Sequence, residues 1–430
     1  MRTTHLKRIA AGGLLLLAAA ACSSSGSSGF SGSGSGSAGP AGSANKSPVT
    51  LTFVGGISGV NGVIGLDAIA GAKAAVAEIN AAGGVDGGHP LALNAYDSQG
   101  DPSDAVVATR KALAAGNRLF YSGPWSSPEC LAMAPLIQRA GGMMINTLCS
   151  ANQLVGAKNV APDFYLASAS DSQSTLDEAA FIKAGLPATT QVDIIGYNYL
   201  VAKQVIQGEL SDAASIGHPL SVHKAYYVPL DTEDFATAVT ALSVTEAKPT
   251  PNRLLIMATF GDGSTSLALQ AAPYHFLQNY AGIITVGGWF SSAVSLKGKA
   301  PAVWDNYSYE YQAAVNPAVN NAFLAAYAKV AGNLGPANDW TYEGWVAAQE
   351  YAAAINKAHS TSPTAIQAAM DGLTIQAPTG PIIMHTNVHQ AEVNTMIYEI
   401  VGDPSAPNDV KLLKWYAVDS FTHQVVASGS

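Results

Sequence analysis

Short apolar runs alternate with longer amphipathic runs from Pro48 onward. Residues 49–54 form an apolar run typical of a buried strand, and a glycine-punctuated loop leads from it into a helical pattern that stops at Gly83 and Gly84. The apolar positions expected on the buried face of this helix are Leu66, Ile69, Val76 and Ile79. Strands that alternate with helices at this spacing predict a parallel sheet covered on both faces.

The same rhythm resumes after a loop-like stretch at residues 152–163, and near the end of the chain a last helical block is followed by three strand-like runs. The further predicted strands are residues 91–97, 118–122, 143–145, 192–197, 225–228, 254–258, 283–286, 381–384, 396–401 and 412–418. The further predicted helices are residues 103–115, 128–140, 200–214, 235–243, 264–271, 316–331 and 342–357. The sequence therefore predicts an α/β protein built from two similar units in series.

The N-terminus has the pattern of a bacterial export signal. A basic start, the apolar residues 14–17 and the small residues 19–21 precede Cys22. A cysteine at this place resembles the lipidated residue of bacterial lipoproteins, which predicts a signal peptide at residues 1–21 and a lipid anchor on Cys22. Ala19 stands where lipoproteins usually carry a larger aliphatic residue, and an ordinary secretory signal is the alternative.

Residues 23–47 are almost entirely Ser, Gly and Ala. Such a segment predicts a flexible tether, which reaches about 25–30 Å on average. Cys130 and Cys149 then remain as two cysteines in an exported protein, and this predicts a disulfide between them, with two unpaired buried thiols as the alternative.

Composition and motifs narrow the function mainly by exclusion. The chain has 21 Lys and Arg against 30 Asp and Glu, a formal net charge of −9, which argues against nucleic acid and anionic lipid as partners. The glycines at 56, 59, 62 and 65 match no nucleotide-binding motif, and we expect no cofactor. His385 and His389 fall in an extended segment with no third ligand nearby, so we expect no metal site. The usual hydrolase and redox signatures are missing.

Several motifs in order resemble one family. The run AEINAAGGVDG at residues 77–87 is very similar to a signature of the leucine/isoleucine/valine-binding family of solute receptors that serve ABC importers. Weaker family patterns follow in the expected order: Tyr96-Asp97, Asp101-Pro102, Gly123-Pro124-Trp125-Ser126-Ser127, Asp234-Phe235 and Tyr342-Glu343-Gly344-Trp345. The resemblance covers residues 48 to about 401.

The resemblance implies two Rossmann-like lobes with parallel sheets, joined by a three-segment hinge, with the ligand in the cleft between them. The crossings are expected near residues 166–171, 309–316 and 382–389. Lobe 1 would then comprise residues 48–168 and 312–384, and lobe 2 residues 169–311 and 385–430. A ligand at the carboxyl ends of the strands would meet helix N-termini and free backbone amides.

The resemblance also implies binding residues in lobe 1. Ser127, with Ser126 and Trp125 beside it, matches a turn that binds the ligand's carboxylate, although these serines could instead only cap the next helix. Leu148, Cys149 and Ser150 match a second binding loop, and a disulfide at Cys149 would fasten the two walls of the pocket together.

In lobe 2, Asp171 matches an acid that takes the ligand's ammonium, unless the register is off by one and Ser170 stands there. Tyr197 and Tyr199 compete for the place of an aromatic that closes over the ligand. Phe260 matches an aromatic wall. Trp289 falls where relatives carry a glutamate, which would weaken recognition of an ammonium group, unless the glycine-rich loop before it is misaligned.

These expectations define a binding protein and not an enzyme. The leading hypothesis is a lipid-anchored receptor on the extracytoplasmic face of the cell membrane, which captures an amino acid, an amide or a small aromatic or carboxylate compound and delivers it to an ABC importer permease. The alternative is a lipoprotein of the same fold that senses a ligand and signals to a membrane partner.

Overall fold

The computed structural model describes most of the chain beyond the tether. The described residues are 46–59, 61–121, 123, 125–156, 161–286, 289–299, 301–307, 315–401, 410–419 and 423–430. All of them lie within one compact unit, Ala44–Ser430. The predicted signal peptide, Cys22 and nearly all of the predicted tether lie outside the described residues.

Sixteen strands and eleven α-helices are assigned in the described part of the chain. The strands are β1 Val49–Gly55, β2 Leu91–Asp97, β3 Leu119–Tyr121, β4 Met143–Asn146, β5 Phe164–Leu166, β6 Gln191–Tyr197, β7 Ser221–Val228, β8 Thr250–Ala258, β9 Tyr280–Val286, β10 Val303–Tyr307, β11 Thr374–Ala377, β12 Gly380–His385, β13 Gln390–Glu392, β14 Asn394–Ile400, β15 Val410–Asp419 and β16 Gln424–Gly429. The helices are α1 Gly62–Ala81, α2 Pro102–Ala114, α3 Ser127–Arg139, α4 Asp171–Gly185, α5 Leu200–Ser215, α6 Ala236–Thr245, α7 Asp262–Ala271, α8 Trp289–Leu296, α9 Pro317–Tyr327, α10 Asp339–Ala358 and α11 Pro363–Ala369.

The strands form two eight-stranded sheets that share the order of five strands at one end and differ at the other end. The first sheet runs β11-β12-β13-β5-β4-β3-β1-β2, and the second runs β16-β15-β14-β10-β9-β8-β6-β7. Five strands at one end of each sheet are parallel, β13 adds a sixth parallel strand to the first sheet, and antiparallel pairs complete the other end of both sheets. This confirms the predicted two-unit α/β fold and adds the antiparallel ends, which the sequence analysis had not foreseen.

The strand order reverses at one place in each sheet, between β1 and β3 and between β6 and β8. In open parallel sheets the helices on either side of such a point cover opposite faces, which leaves a crevice at the carboxyl ends of the strands. Apolar clusters lie on both faces of the first sheet. The loops that line this crevice therefore start from strands that are buried on both faces.

Helices α1 and α10 pack in unusually close contact on the first sheet. A Cβ atom at Gly71 would lie 1.7 Å from the carbonyl oxygen of Thr341, and one at Gly344 would lie 1.8 Å from that of Ala68. Only glycine fits at both places, because any side chain would overlap the facing backbone. This close crossing turns α1 so that Leu66 is 44% exposed, which corrects the prediction that Leu66 lies on the buried face.

The chain passes from the first sheet to the second at residues 167–170, and again directly after β13. The third crossing was expected at residues 382–389, but this segment forms the β12–β13 hairpin of the first sheet. By sheet membership the boundary thus lies after Glu392 and not after Met384. A three-residue strand has too little pattern to be predicted, which explains the error. The second crossing lies mainly outside the described residues.

One side chain joins the first and third crossings. Oε1 of Gln173 accepts hydrogen bonds from the backbone N–H of Ser170 (3.0 Å) and from the amide of Gln390. Its Nε2 donates to the carbonyl oxygens of Ala391 (3.4 Å) and Val418 (3.2 Å). Gln173, Ser170 and Gln390 are all buried. Because Val418 belongs to the second sheet, this amide holds both sheets and two of the connecting segments together.

Helix α10 also buries a carboxyl group in the apolar core. Glu350 is fully buried, and neither of its carboxylate oxygens has a hydrogen-bond partner among the described residues. Burial raises the pKa of this carboxyl from its ordinary 4.5 to about 8. Between these two pH values the folded state therefore holds a proton that the unfolded state releases.

The sign of this difference predicts the pH dependence of stability. The free energy of unfolding should fall as the pH rises from about 4.5 to about 8, by as much as about 1.4 kcal/mol per pH unit for this group. Glu350→Gln removes this group's contribution to the pH dependence. The variant should therefore become progressively more stable than the wild type as the pH rises across this range, as measured by denaturant unfolding at several pH values. Glu233→Gln, at an exposed acid, is the matched control. A constant difference between variant and wild type at all pH values would contradict the prediction.

Candidate functional site

A cavity lies where the two sheets face each other, and residues of both sheets line it. The centre of a water molecule can move within about 90 Å³ of it, whereas about 10–15 Å³ of such space holds one water, so the cavity has room for a small organic molecule. The residues that line it are Ile64, Trp125, Ser127, Thr147, Leu148, Ser150, Ser168, Ala169, Asp171, Ser174, Glu178, Tyr199, Val201, Ala202, Val205, Phe260, Val286, Trp340 and Glu343.

Seven of the eleven predicted ligand-binding residues line this cavity. They are Trp125, Ser127, Leu148, Ser150, Asp171, Tyr199 and Phe260. Each of the two competing tyrosines has a distinct place: Tyr199 lines the cavity, and Tyr197 packs behind Phe260, with ring centroids 5.1 Å apart.

Asn146, at the end of β4, shapes the wall that Leu148 and Ser150 belong to. Its Oδ1 accepts from the backbone N–H groups of Leu148 (2.9 Å) and Cys149 (2.6 Å), and its Nδ2 donates to the carbonyl of Gly123 (3.0 Å). Asn146 is fully buried. One amide therefore fixes the loops after β3 and β4 relative to each other.

A disulfide adds a covalent link to the same wall. Cys130 and Cys149 are bonded, with their Cα atoms 6.4 Å apart, which confirms the predicted pairing. Cys130 lies in the first turns of α3, which begins at Ser127, and Cys149 precedes Ser150. The bond thus fastens the two loops that present Ser127 and Ser150. Cys149 itself is buried and does not line the cavity.

The remaining two predicted residues, Ser126 and Trp289, also lie outside the cavity wall. Ser126 precedes α3, where its side chain is 3.5 Å from the hydroxyl of Tyr199. Trp289 begins α8 with 1% exposure, packs in the core of the second sheet, and donates its backbone N–H to Asp305 (3.2 Å). The expectation for Trp289 came from a position in a glycine-rich loop, residues 287–288, which lies outside the described residues. A new helix starts at Trp289, which the sequence pattern of this loop did not predict.

Asp171 begins α4 and is 3% exposed. Its backbone N–H donates to the carbonyl of Ser150 (2.9 Å), and the Ser150 side chain bonds its carboxyl group. Burial raises the pKa of Asp171 to about 7, and the hydrogen bond from Ser150 opposes this rise. Its Oδ2 is buried without a hydrogen-bond partner among the described residues.

Two further acids line the cavity and were not assigned to the site from the sequence. Glu178 lies on α4, one face of which carries Asp171, Ser174 and Glu178 at helical spacing. Glu343 lies on α10 one turn after Trp340. Burial raises the pKa of Glu343 well above its ordinary value, and the nearby Asp339 raises it further. The spacing of residues 171, 174 and 178 would have grouped them once α4 was recognised as a helix.

The lobes meet directly beside the cavity through aromatic rings. Phe260, in the loop after β8, packs edge to face against Trp125 of the first lobe, with ring centroids 5.8 Å apart. It also packs against Tyr199, at 5.9 Å. The Trp125 ring has room there because two glycines lie beneath it: Cβ atoms at Gly56 and Gly100 would each lie 3.0 Å from the indole. One glycine after β1 and one after β2 thus make room for this packing.

A second contact between the lobes is polar. The side-chain oxygen of Asn61, just before α1, accepts the backbone N–H of Asp262 (3.2 Å) at the start of α7. The adjoining residue is Gly261, where a Cβ atom would lie 2.0 Å from that same oxygen. Close approach at this point therefore depends on both residues.

One cluster away from the cavity has the composition of a metal site. Asp193, His223 and Glu246 bring their ligand atoms within 4.8 Å of one another. Arg253 lies among them, with Nη1 3.3 Å from Asp193 and 3.7 Å from Glu246. Because the guanidinium already supplies the positive charge, we interpret this cluster as a structural ion-pair network.

These features define a two-lobed protein with a cavity between its sheets that has room for a small solute. The family model described as periplasmic binding protein matches residues 48–405, and the chain belongs to this family. The family consists of solute-binding proteins that catalyse no reaction, and membership implies an extracytoplasmic location. No helix in the described part of the chain combines the length and hydrophobicity needed to cross a membrane.

Solved structures show the same fold at low sequence identity. An amino-acid ABC transporter substrate-binding protein from Pseudomonas fluorescens is 19% identical, with a TM-score of 0.72 over 86% of this chain and 96% of that chain. A solute-binding protein from Rhodopseudomonas palustris in complex with p-hydroxybenzoic acid is 17% identical, with a TM-score of 0.74 over 86% and 97%. A leucine-binding protein from Thermotoga maritima is 14% identical, with a TM-score of 0.69 over 85% and 97%. No curated protein sequence matches the chain.

The Asn61 contact generates a prediction about lobe closure. Asn61 has a left-handed backbone (φ 62°), so Asn61→Gly removes the side chain without backbone strain. We expect the Asp262 amide to exchange with deuterium several-fold faster and the radius of gyration in solution to increase, because one hydrogen bond between the lobes is lost. Gln99→Gly, at an exposed residue with φ 56°, is the matched control. Equal exchange at Asp262 in both variants would show that Asn61 does not hold the lobes together.

Proposed function

We propose that this protein is the solute-binding component of an ABC importer, tethered to the extracytoplasmic face of the membrane through Cys22. The cavity between the two sheets carries this proposal. Its wall combines Ser127 and Ser150 from the first lobe with Tyr199 and Phe260 from the second, so that a ligand would touch both lobes at once. A ligand held in this way stabilises the closed arrangement over the open one.

Each wall residue has a role that follows from its chemistry. Ser127, Ser150 and Asp171 supply polar contacts at the N-termini of α3 and α4, and the rings of Trp125, Tyr199 and Phe260 supply apolar surface. Small-molecule sites typically combine such an apolar lining with a few fixed polar groups. The solved relatives with bound or named ligands include binders of leucine and of p-hydroxybenzoic acid, which supports a small organic solute of similar size.

The hinge has the features that closure requires. The two lobes, which we take as residues 48–169 with 315–392 and residues 170–307 with 393–430, are joined by short segments whose backbone is held by Gln173. Rotation about a few residues in such segments changes the distance between the lobes without disturbing either core. Closure presents the permease with a surface that the open form lacks.

The cavity is tested by filling it. Ala202 lines the cavity in the first turn of α5, and Ala202→Leu should abolish retention of a small molecule from a bacterial metabolite extract, detected by native mass spectrometry. For the wild type, the ligand identified in this way should raise the stability by about 2.7 kcal/mol at 100 times its dissociation constant. Ala114→Leu, at an exposed site on α2, should retain the ligand. If Ala202→Leu retained it with unchanged affinity, the ligand would bind elsewhere and the proposal would fail.

The anchor is tested separately. Cys22→Ala should move the protein from the membrane fraction to the soluble extracytoplasmic fraction, because the lipid is attached to that thiol. Folding and the Cys130–Cys149 bond should be unaffected, which circular dichroism and non-reducing electrophoresis would check. Retention of the variant in the membrane fraction would contradict the lipoprotein assignment.

A further inference from the structure

All the charged groups in the wall of the cavity are acids. Asp171, Glu178 and Glu343 line it, and each is 3% exposed or less. No Lys, Arg or His is among the described residues that line it. An anionic ligand would therefore enter a desolvated site with three acids and no basic side chain to balance its charge, which is unfavourable at low effective dielectric.

The place where a carboxylate would be expected to bind is already occupied. The backbone N–H of Ser127, at the N-terminus of α3, donates to the hydroxyl of Tyr199 at 3.2 Å. Glu129, in the same helical turn, is fully buried and hydrogen-bonded by Ser98. A ligand carboxylate would have to displace the Tyr199 hydroxyl. It would then lie at the N-terminus of α3, whose first turn carries the buried acid Glu129.

Two carboxyl oxygens at the cavity wall lack partners. Oδ2 of Asp171 and Oε2 of Glu343 are buried, and neither has a hydrogen-bond partner among the described residues. Native structures rarely leave such atoms unsatisfied, and a bound donor is one explanation for them. These groups belong to α4 and α10, so a single cationic donor group between these helices would satisfy acids on two separate elements.

The rest of the wall suits the same kind of ligand. Trp125, Tyr199, Phe260 and Trp340 present aromatic rings to the cavity. The faces of aromatic rings attract cations, most strongly where water is excluded. The combination of buried carboxylates with aromatic rings is chemically suited to an ammonium or guanidinium group on a small apolar body.

We propose that the ligand is a small organic cation, an amine or guanidinium compound that needs no carboxylate, and that Glu178 and Glu343 set this selectivity together with Asp171. This inference rests on the proposed function and specifies its substrate class. It reverses the expectation from the sequence, in which the carboxylate side of the site was retained and the ammonium side was lost through Trp289.

Matched ligands that share one apolar body test the inference. Phenethylamine, phenylalanine and 3-phenylpropionate form one set, and isopentylamine, leucine and 4-methylvalerate form another. Isothermal titration of the full-length protein in detergent should give affinities at least about tenfold higher for each amine than for the matching amino acid, and no saturable binding of the acids.

Variants connect the selectivity to the acids. Glu343→Gln and Glu178→Gln keep the shape of the side chain, and each should weaken amine binding by about tenfold or more while reducing the preference over the amino acid. Glu233→Gln, at an exposed acid, should change neither. Thermal unfolding without ligand would check that each variant is folded. The two glutamates lie on different helices, so each variant tests the inference independently. If one variant does not fold, the affinities of the wild-type protein for the matched ligands still decide the inference.

The possible results separate the two proposals. If leucine, phenylalanine or either acid binds as tightly as the amines, the cation inference is overturned and the solute-binding function stands. The same holds if the glutamine variants keep the full preference for amines. If no member of either set binds and the metabolite extract also yields no ligand, the proposed function fails and the inference falls with it.

Discussion

The fold depends on a single glutamine side chain placed where the chain leaves one sheet for the other. Crossing segments cannot satisfy their backbone groups within a sheet or helix, and buried groups without partners are costly. Gln173 accepts a hydrogen bond from the backbone N–H of Ser170 and donates to the carbonyl oxygens of Ala391 and Val418, so it joins two connecting segments to a strand of the second sheet. One buried side chain thereby ties the two lobes together at the place where the chain crosses between them.

The helix that carries Gln173 also explains why the site is acidic. α4 begins immediately after the first crossing, so its N-terminus lies at the junction of the sheets, and successive faces of it meet different surroundings. One face presents Asp171 and Glu178 to the cavity, whereas Asp177 lies beside Glu209, whose pKa is raised to about 8 first by burial and then by Asp177 and Asp212. The same helix therefore carries Gln173 at the crossing and two acids in the cavity wall, so the hinge and the binding site share α4.

The sequence predicts regular elements with their own apolar pattern much better than it predicts α4. The strand Leu91–Asp97 and the helix Ser127–Arg139 were placed to within one residue, because alternating apolar positions and helix-ending residues mark them locally. α4 has no apolar stripe, and its buried polar residues find partners on other elements, as Gln173 does at Gln390, 217 positions away. For the same reason Glu343 could be recognised as part of a motif, but its exposure to the cavity became apparent only from the packing of α10.

The family position at Trp289 suggests a ligand without an ammonium group, whereas the residues that line the cavity suggest a cationic ligand. The physical argument favours the cavity residues. A family position at Trp289 concerns one side chain, which proves to be a core residue at the start of α8. Charge selectivity instead depends on the sum of the groups that a ligand meets when water is removed. That sum is set by acids from α4 and α10 and by the Tyr199 hydroxyl on the amide of Ser127. Since these elements come from both lobes, the proposed selectivity and lobe closure depend on the same geometry.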